Sequence, residues 1–242
     1  MRSRPTITHR LNKLTHTSLR EQIVVAIRNA IIEGKFKAGE KIPEQELAQQ
    51  LGVSRTPIRE AIRILEQQGL LEARPKNGTY IASLNWDEVR DSLHVRIALE
   101  EVAVRQAIER LTPQEWDDLC EKLQRLLDGM GEAVTSGDPI AATELDIEWH
   151  TLLIDAAGNR YLSRTWRVTG LPFLVWSPER EIYPFTPEKW AVFHSRHEEL
   201  LAALTGRVPD QCAEAVRSHI LRKMSDLDEW LAIEAPMAGE AI

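Results

Sequence analysis

SRTPIREAIRILEQQGLLE, residues 54 to 72, reads as a helix with arginines on its leading turns, an apolar stripe behind them, then a glycine and a strand. Ser54 stands at the N-cap, where a hydroxyl can accept from an open backbone N–H. Pro57 falls in the first turn, where a missing N–H is tolerated. Ile58, Ile62 and Leu65 recur at i, i+4 and i+7 and predict one buried face. Arg55, Thr56 and Arg59 project from the other side, near the helix N-terminus. Helices that enter the DNA major groove use those leading positions, and an arginine fork matches guanine O6 and N7. The same pattern also fits a surface amphipathic helix whose arginines face water.

The flanks favour DNA. Upstream, IPEQELAQQLGV (residues 42 to 53) predicts a short helix opened by Pro43 and ended by Gly52, with Leu47, Ala48 and Leu51 on its apolar face. Two helices joined by a glycine turn form a helix-turn-helix. Before it, a longer helix ending at Gly34 carries Leu19, Ile23, Ala26, Ile27, Ala30 and Ile31 on one side. Downstream, Leu71 and Ala73, the turn Pro75-Lys76-Asn77-Gly78, then Tyr80 and Ala82 predict a hairpin, with Asn-Gly as its signal. Lys76 at the tip and Arg74 before it make this wing basic.

Charge divides the chain in the same place. Residues 1–82 hold 14 Lys and Arg against 8 Asp and Glu, a net of +6; residues 83–242 hold 16 against 29, a net of −13. Phosphate contacts therefore belong to the first part. The tail, with Arg2, Arg4, Arg10 and Lys13, is expected to be disordered without DNA. No run of eighteen apolar residues and no signal peptide is visible, so a cytoplasmic protein without a membrane span is expected. Cys120 and Cys212 form no CxxC and read as buried or incidental thiols.

After a short linker at 83–86, six helices are predicted at 86–109, 113–130, 138–156, 159–175, 187–205 and 209–231. Breaks at LTP, at the glycines and SGDP of 129–139, at AGN, at SPEREIYPFTP and at TGRVP separate them. The fold class is mainly α: a winged helix-turn-helix at residues 17–82, then an antiparallel all-α bundle of six or seven helices at 87–232, between tails at 1–16 and 233–242.

Inside the bundle, Asp146 and His150 are four apart and share a helix face. His197 and His219 lie on two further helices. Apolar neighbours at helical spacing (Leu153, Leu200, Leu201, Val216 and Leu221) turn the three histidines inward. Converging, the four side chains can bind a divalent metal: imidazole suits Zn, Ni, Fe and Cu, and the carboxylate broadens the choice toward Mn. A lone histidine on a helix is more often a satisfied core residue, and His9, His16, His94 and His194 show that the chain has others. His194 can neighbour or substitute for His197. The tryptophans, among them Trp149, Trp166 and Trp176, read as core; Trp149 points about 100° from His150 around the helix.

Residues 33–82, EGKFKAGEKIPEQELAQQLGVSRTPIREAIRILEQQGLLEARPKNGTYIA, resemble the GntR family of bacterial winged-helix transcription regulators almost continuously. The resemblance implies that Arg55 and Arg59 contact an operator, Thr56 a phosphate or base, and that Gly78 lets the wing approach the minor groove. Ser54, Lys76 and Asn77 join this DNA-binding set. Gln45 stands where some relatives carry an operator-contacting arginine, a departure that bears on the operator sequence.

RIALEEVAVRQA (96–107), DIEWHTLLIDAAGNRYL (146–162), SRHEELLAAL (195–204) and AEAVRSHI (213–220) resemble, in order and spacing, the FCD ligand-binding domain of the FadR branch. Six helices would place it near the VanR-like group. The resemblance implies a metal on Asp146, His150, His197 and His219, and a small organic acid as effector. Arg96 lies where relatives aim an arginine at the effector, and its fork can hold a carboxylate. It also fits a surface arginine paired with Glu100. Asn159 joins Arg96 in the effector set, although its AGN setting equally suits a helix cap.

The function expected is a homodimeric regulator, most often a repressor, that reads a pseudo-palindromic operator under control of a small carboxylate. The alternatives are a metal-dependent enzyme fused to a DNA-binding domain, and an effector-independent DNA binder.

Overall fold

The computed structural model describes residues 19–32, 35–82, 86–169 and 187–234. The basic tail, most of the linker and Trp176 lie outside these residues. In the N-terminal part, α1 (Leu19–Ile32), α2 (Glu44–Gln50) and α3 (Arg55–Gln67) precede β1 (Leu71–Arg74) and β2 (Gly78–Ile81). Ile58, Ile62 and Leu65 of α3 are buried as their spacing predicts, against Ile23, Ile27 and Ile31 of α1 and Leu47 and Ala48 of α2.

The chain turns between α2 and α3 through Gly52, whose φ of +65° is the left-handed conformation that glycine adopts without strain. Gly52 N–H donates to Gln49 C=O at 3.2 Å and Val53 N–H to Ala48 C=O at 3.0 Å, which closes the helix end. This geometry turns Leu51 outward, so Leu51 is 39% exposed and outside the expected apolar face. Leu19 and Ala26 of α1 are likewise exposed, and Val24 takes a core place instead.

The wing departs from the expected phase. Leu71 pairs with Ile81 and Ala73 with Thr79, so Thr79 and Ile81 face inward and Tyr80 does not. Thr79 can be buried because its hydroxyl donates to Glu66 of α3 at 3.0 Å. The turn is also not centred on Asn-Gly. Asn77 N–H donates to Arg74 C=O, with Pro75 and Lys76 between them and Lys76 at φ +67°. Residues 39–42 brace the other edge of β2, through Ile81 N–H to Glu40 C=O and Ile42 N–H to Thr79 C=O.

The second part contains α4 (Trp86–Arg110), α5 (Pro113–Ser136), α6 (Pro139–Ala156), α7 (Arg160–Thr169), α8 (Pro187–Thr205) and α9 (Pro209–Glu234). Thr112 and Glu115 form a capping box that opens α5, and Asp138 accepts from Ile140 and Ala141 N–H to open α6. The predicted break at the glycines near 129 is absent: α5 runs on to Ser136. Gly129 and Gly131 are there for close approach, since a Cβ on them would meet Leu145 at 3.3 Å and the His194 ring at 2.9 Å. The remainder of the helix expected at 159–175 lies beyond the described residues.

The bundle core joins Leu93, Val104, Trp116, Leu123, Trp149, Leu153, Leu200 and Val216. α6 is buried on more than one side, with Ala142, Asp146, Trp149, His150, Leu153 and Ile154 all inside. It lies against α4 and α5, while α9 lies against α4 and α8. Side chains from α4, α6, α8 and α9 therefore meet.

Candidate functional site

That meeting point is polar. Asp146, His150, His197 and His219 are each at most 5% exposed. One ring nitrogen from each histidine lies within 4.8 Å of the others. The rings of His197 and His219 are 4.5 Å apart, and that of His150 is 5.5 Å and 5.3 Å from them.

Two histidines have their tautomer set from behind. His150 Nδ1 is 2.7 Å from Glu100 Oε2. Burial alone would raise the Glu100 carboxyl, but His150 and Arg96 hold it at about 2. It is ionised and can only accept, so His150 Nδ1 carries the proton. His197 Nδ1 donates to the Phe193 carbonyl at 2.9 Å. Burial lowers His197 to about 4 and His219 well below the usual range, so both are neutral imidazoles near pH 7. His197 Nε2 therefore keeps its lone pair, and it faces inward together with His150 Nε2, toward Asp146. Both nitrogens of His219 are buried without a hydrogen-bond partner.

Asp146 closes the set. Its Oδ1 is 2.9 Å from His197 Nε2, 3.5 Å from His150 Nε2 and 3.2 Å from Lys223 Nζ. Burial would raise this carboxyl, yet the Lys223 ammonium beside it holds it well below the usual range. Adjacent ligands of an ion with bonds of about 2.1 Å stand roughly 3 Å apart. The residues fit a divalent metal.

The other expected site residues fall as follows. Arg96 is no surface residue: it is 1% exposed, its Nε donates to Glu100 Oε1 at 2.5 Å, and it lies 5.2 Å from the Trp166 ring. The pairing with Glu100 is present, but inside. Asn159 caps α7, accepting from Tyr161 and Leu162 N–H, and its amide donates to Gln106. Trp149 packs edge-on against His150 and His197, at 4.9 and 5.6 Å, despite its offset around the helix. His194 is not in the cluster; its Nε2 lies 3.2 Å from the Leu127 carbonyl. Leu221 is 41% exposed and does not flank His219 from the core. Two further site residues are Glu100, which the sequence offered only as a surface partner of Arg96, and Lys223, which it did not single out. Their signal was position: Glu100 one turn after Arg96, and Lys223 one turn after His219.

In the winged part, Ser54, Arg55, Thr56 and Arg59 form an exposed patch at the start of α3. Ser54 is the N-cap by backbone conformation, but its hydroxyl makes no capping bond. Gln45, Lys76, Asn77 and Gly78 are exposed too. Gly78 has φ +104°, and a Cβ there would meet Lys41 Cε at 2.9 Å. Glu44, the first residue of α2, reaches this patch: it accepts from Arg59 Nε at 2.9 Å and lies 3.6 Å from Arg55 Nη2.

Cys120 and Cys212 are free thiols, both pushed up by burial, Cys120 to about 11. No helix among the described residues is long and apolar enough to cross a membrane.

Comparison with known proteins matches residues 19–81 to the gntR family of bacterial regulatory proteins and residues 91–222 to the FCD domain. The Nta operon transcriptional regulator of Aminobacter aminovorans is 32% identical over 199 residues, 80% of this chain and 87% of that protein. The HTH-type transcriptional regulator YdhC of Bacillus subtilis is 38% identical over 137 residues, 56% of this chain; the chain spans 59% of that regulator's length. Among solved structures, E. coli McbR/YncC superposes with a TM-score of 0.71 at 23% identity, covering 88% of this chain and 99% of that one, which supports the fold. These relatives and domains are those of a transcription regulator, not of an enzyme.

Proposed function

Because the chain belongs to the GntR family of bacterial regulatory proteins, with an FCD domain behind its winged module, we propose that it is a metal-dependent, ligand-responsive repressor. A homodimer places two α3 helices in successive major grooves of a pseudo-palindromic operator. Arg55 and Arg59 read base edges, Thr56 and Ser54 hold backbone, and Lys76, Asn77 and Gly78 bring the wing to the minor groove. Gln45 contributes from α2.

Asp146, His150, His197 and His219 would hold a divalent ion such as Zn, Ni, Mn or Fe. The ion supplies a Lewis-acid anchor for the carboxylate of a small organic acid. Arg96 provides the adjacent positive charge, locked in place by Glu100. Effector binding shifts the winged modules through the short linker at 83–86. By linkage, an inducing effector binds the DNA-incompetent arrangement better, and operator DNA weakens effector binding by the same factor.

The observation that carries this reading is the tautomer control. Glu100 and the Phe193 carbonyl fix the Nδ1 protons, so that His150 and His197 turn their buried Nε2 atoms toward Asp146. The test is a thermal-shift screen of small carboxylates with and without chelator, alongside elemental analysis of the purified protein. Stabilisation by a carboxylate that chelator abolishes is expected. Metal-free protein that responds equally to a carboxylate would overturn the metal's part in the reading.

A further inference from the structure

Lys223 lies one turn beyond His219 on α9, so the two side chains leave the helix on one face. Its ammonium reaches back to Asp146 Oδ1 at 3.2 Å and stands 5.4 Å from the Phe193 ring centroid. Both members of this ion pair are enclosed, with 13% of the Lys223 side chain and 7% of the Asp146 side chain exposed. Arg96 pairs with Glu100 on α4, and Lys223 with Asp146 between α9 and α6.

The oxygen that Lys223 holds is the one that faces the histidines. Asp146 Oδ1 approaches His197 Nε2 and His150 Nε2, as a metal ligand must. An ion bound there and an ammonium on the same oxygen would sit within roughly 5 Å of each other, where like charges repel strongly even at an effective dielectric of about 20. The ion and the ammonium therefore compete for the oxygen. A lysine suits a group that has to leave: a compact charge on a flexible four-carbon stem, with no second fork nitrogen to hold it.

We propose that Lys223 is the site's internal stand-in cation: in the metal-free protein its ammonium neutralises Asp146, and a divalent ion binds by displacing it from Oδ1. This rests on the metal reading above and adds a consequence to it. The metal-free pocket is a closed, charge-balanced state rather than an unfilled one, because a buried carboxylate left without a counter-charge is strongly destabilising. Metal loading and the α6–α9 ion pair then exclude each other, so the ion changes what ties α9 to α6 as well as filling the pocket.

The experiment uses the full chain, stripped with EDTA and titrated with Zn(II) against a chromophoric chelator of known affinity. Lys223→Met is expected to bind Zn(II) roughly tenfold tighter or more, because no ammonium competes or repels. The same variant should melt below the wild type when metal-free, and gain more in Tm on loading. Lys223→Gln, which keeps a donor for Oδ1 without the charge, carries the same expectation if Lys223→Met does not fold. Equal or weaker Zn(II) binding by the variants, with a wild type that binds, overturns the stand-in role and leaves the metal site standing. A wild type that binds no metal overturns both.

Discussion

Glu100→Gln tests the polar core most directly. The two side chains have the same shape, and only the charge and one acceptor are lost. Glu100 is 0% exposed and uses both oxygens, Oε1 for Arg96 Nε and Oε2 for His150 Nδ1. A glutamine has a single acceptor, so its NH2 must face one of those two donors. If it faces Arg96, a guanidinium that is 1% exposed loses its counter-charge. Breaking a buried pair by removing one partner costs about 3–5 kcal/mol. For a chain of this size that lowers Tm by on the order of 10 °C. If it faces His150 instead, the ring is driven to carry its proton on Nε2, the atom that points at the proposed metal. Loss of such a supporting partner typically weakens metal binding by about 10–100-fold. Thermal denaturation of metal-free protein and a chelator-competition titration read the two effects separately. Arg96→Met combined with Glu100→Gln should recover part of the stability, since the buried cation that Glu100 neutralised is gone. A single variant that melts within about 2 °C of the wild type and binds metal equally well would refute the reasoning.

Arg59→Ala should weaken operator binding by about 1–3 kcal/mol while changing nonspecific DNA binding much less; equal losses in a binding titration would make Arg59 a phosphate contact. Glu44→Ala releases Arg55 and Arg59 from the acid that holds them, and should lower the ratio of specific to nonspecific affinity; an unchanged ratio across a salt series would count against it. His150→Ala with His197→Ala should leave the purified protein without bound metal, and wild-type metal content by elemental analysis would sink the assignment. The metal-free protein should lose stability in mild acid. His197 falls from an ordinary 6.5 to about 4 in the fold, so the unfolded chain binds the extra proton between those values. This contribution is complete above pH 6.5 and is lost as pH falls to 4, by roughly 3 kcal/mol for this one group. Stability that stays flat from pH 7 to 5 would contradict it.

The winged part was legible because its rules are local. Spacing alone placed Ile58, Ile62 and Leu65 inside, and Gly52 marked the turn. Reading failed where a polar residue takes a core position with its own partner. Thr79 is buried because Glu66 accepts from its hydroxyl, a partner thirteen residues away, so hydropathy alternation set the wing one residue out of phase. Gly129 and Gly131 failed for a related reason. A glycine signals a helix end only when nothing presses on it, and here Leu145 and His194 do.

The bundle's site shows the same limit more sharply. Asp146, His150, His197 and His219 stood out by residue type, and their helices bring them together. Glu100 and Lys223 did not stand out, because a charged residue in a single sequence is read as solvated. Yet Arg96 and Glu100 share the α4 face that carries Leu93, Val104 and Ala107, each 0% exposed. Two opposite charges one turn apart on such a stripe can be buried only together. That is a pattern a sequence can display, whereas the reach of Lys223 to Asp146 across two helices exists only in the fold. The histidines therefore mark where a metal can sit, and the paired charges around them, read from the packing, determine the state from which it must bind.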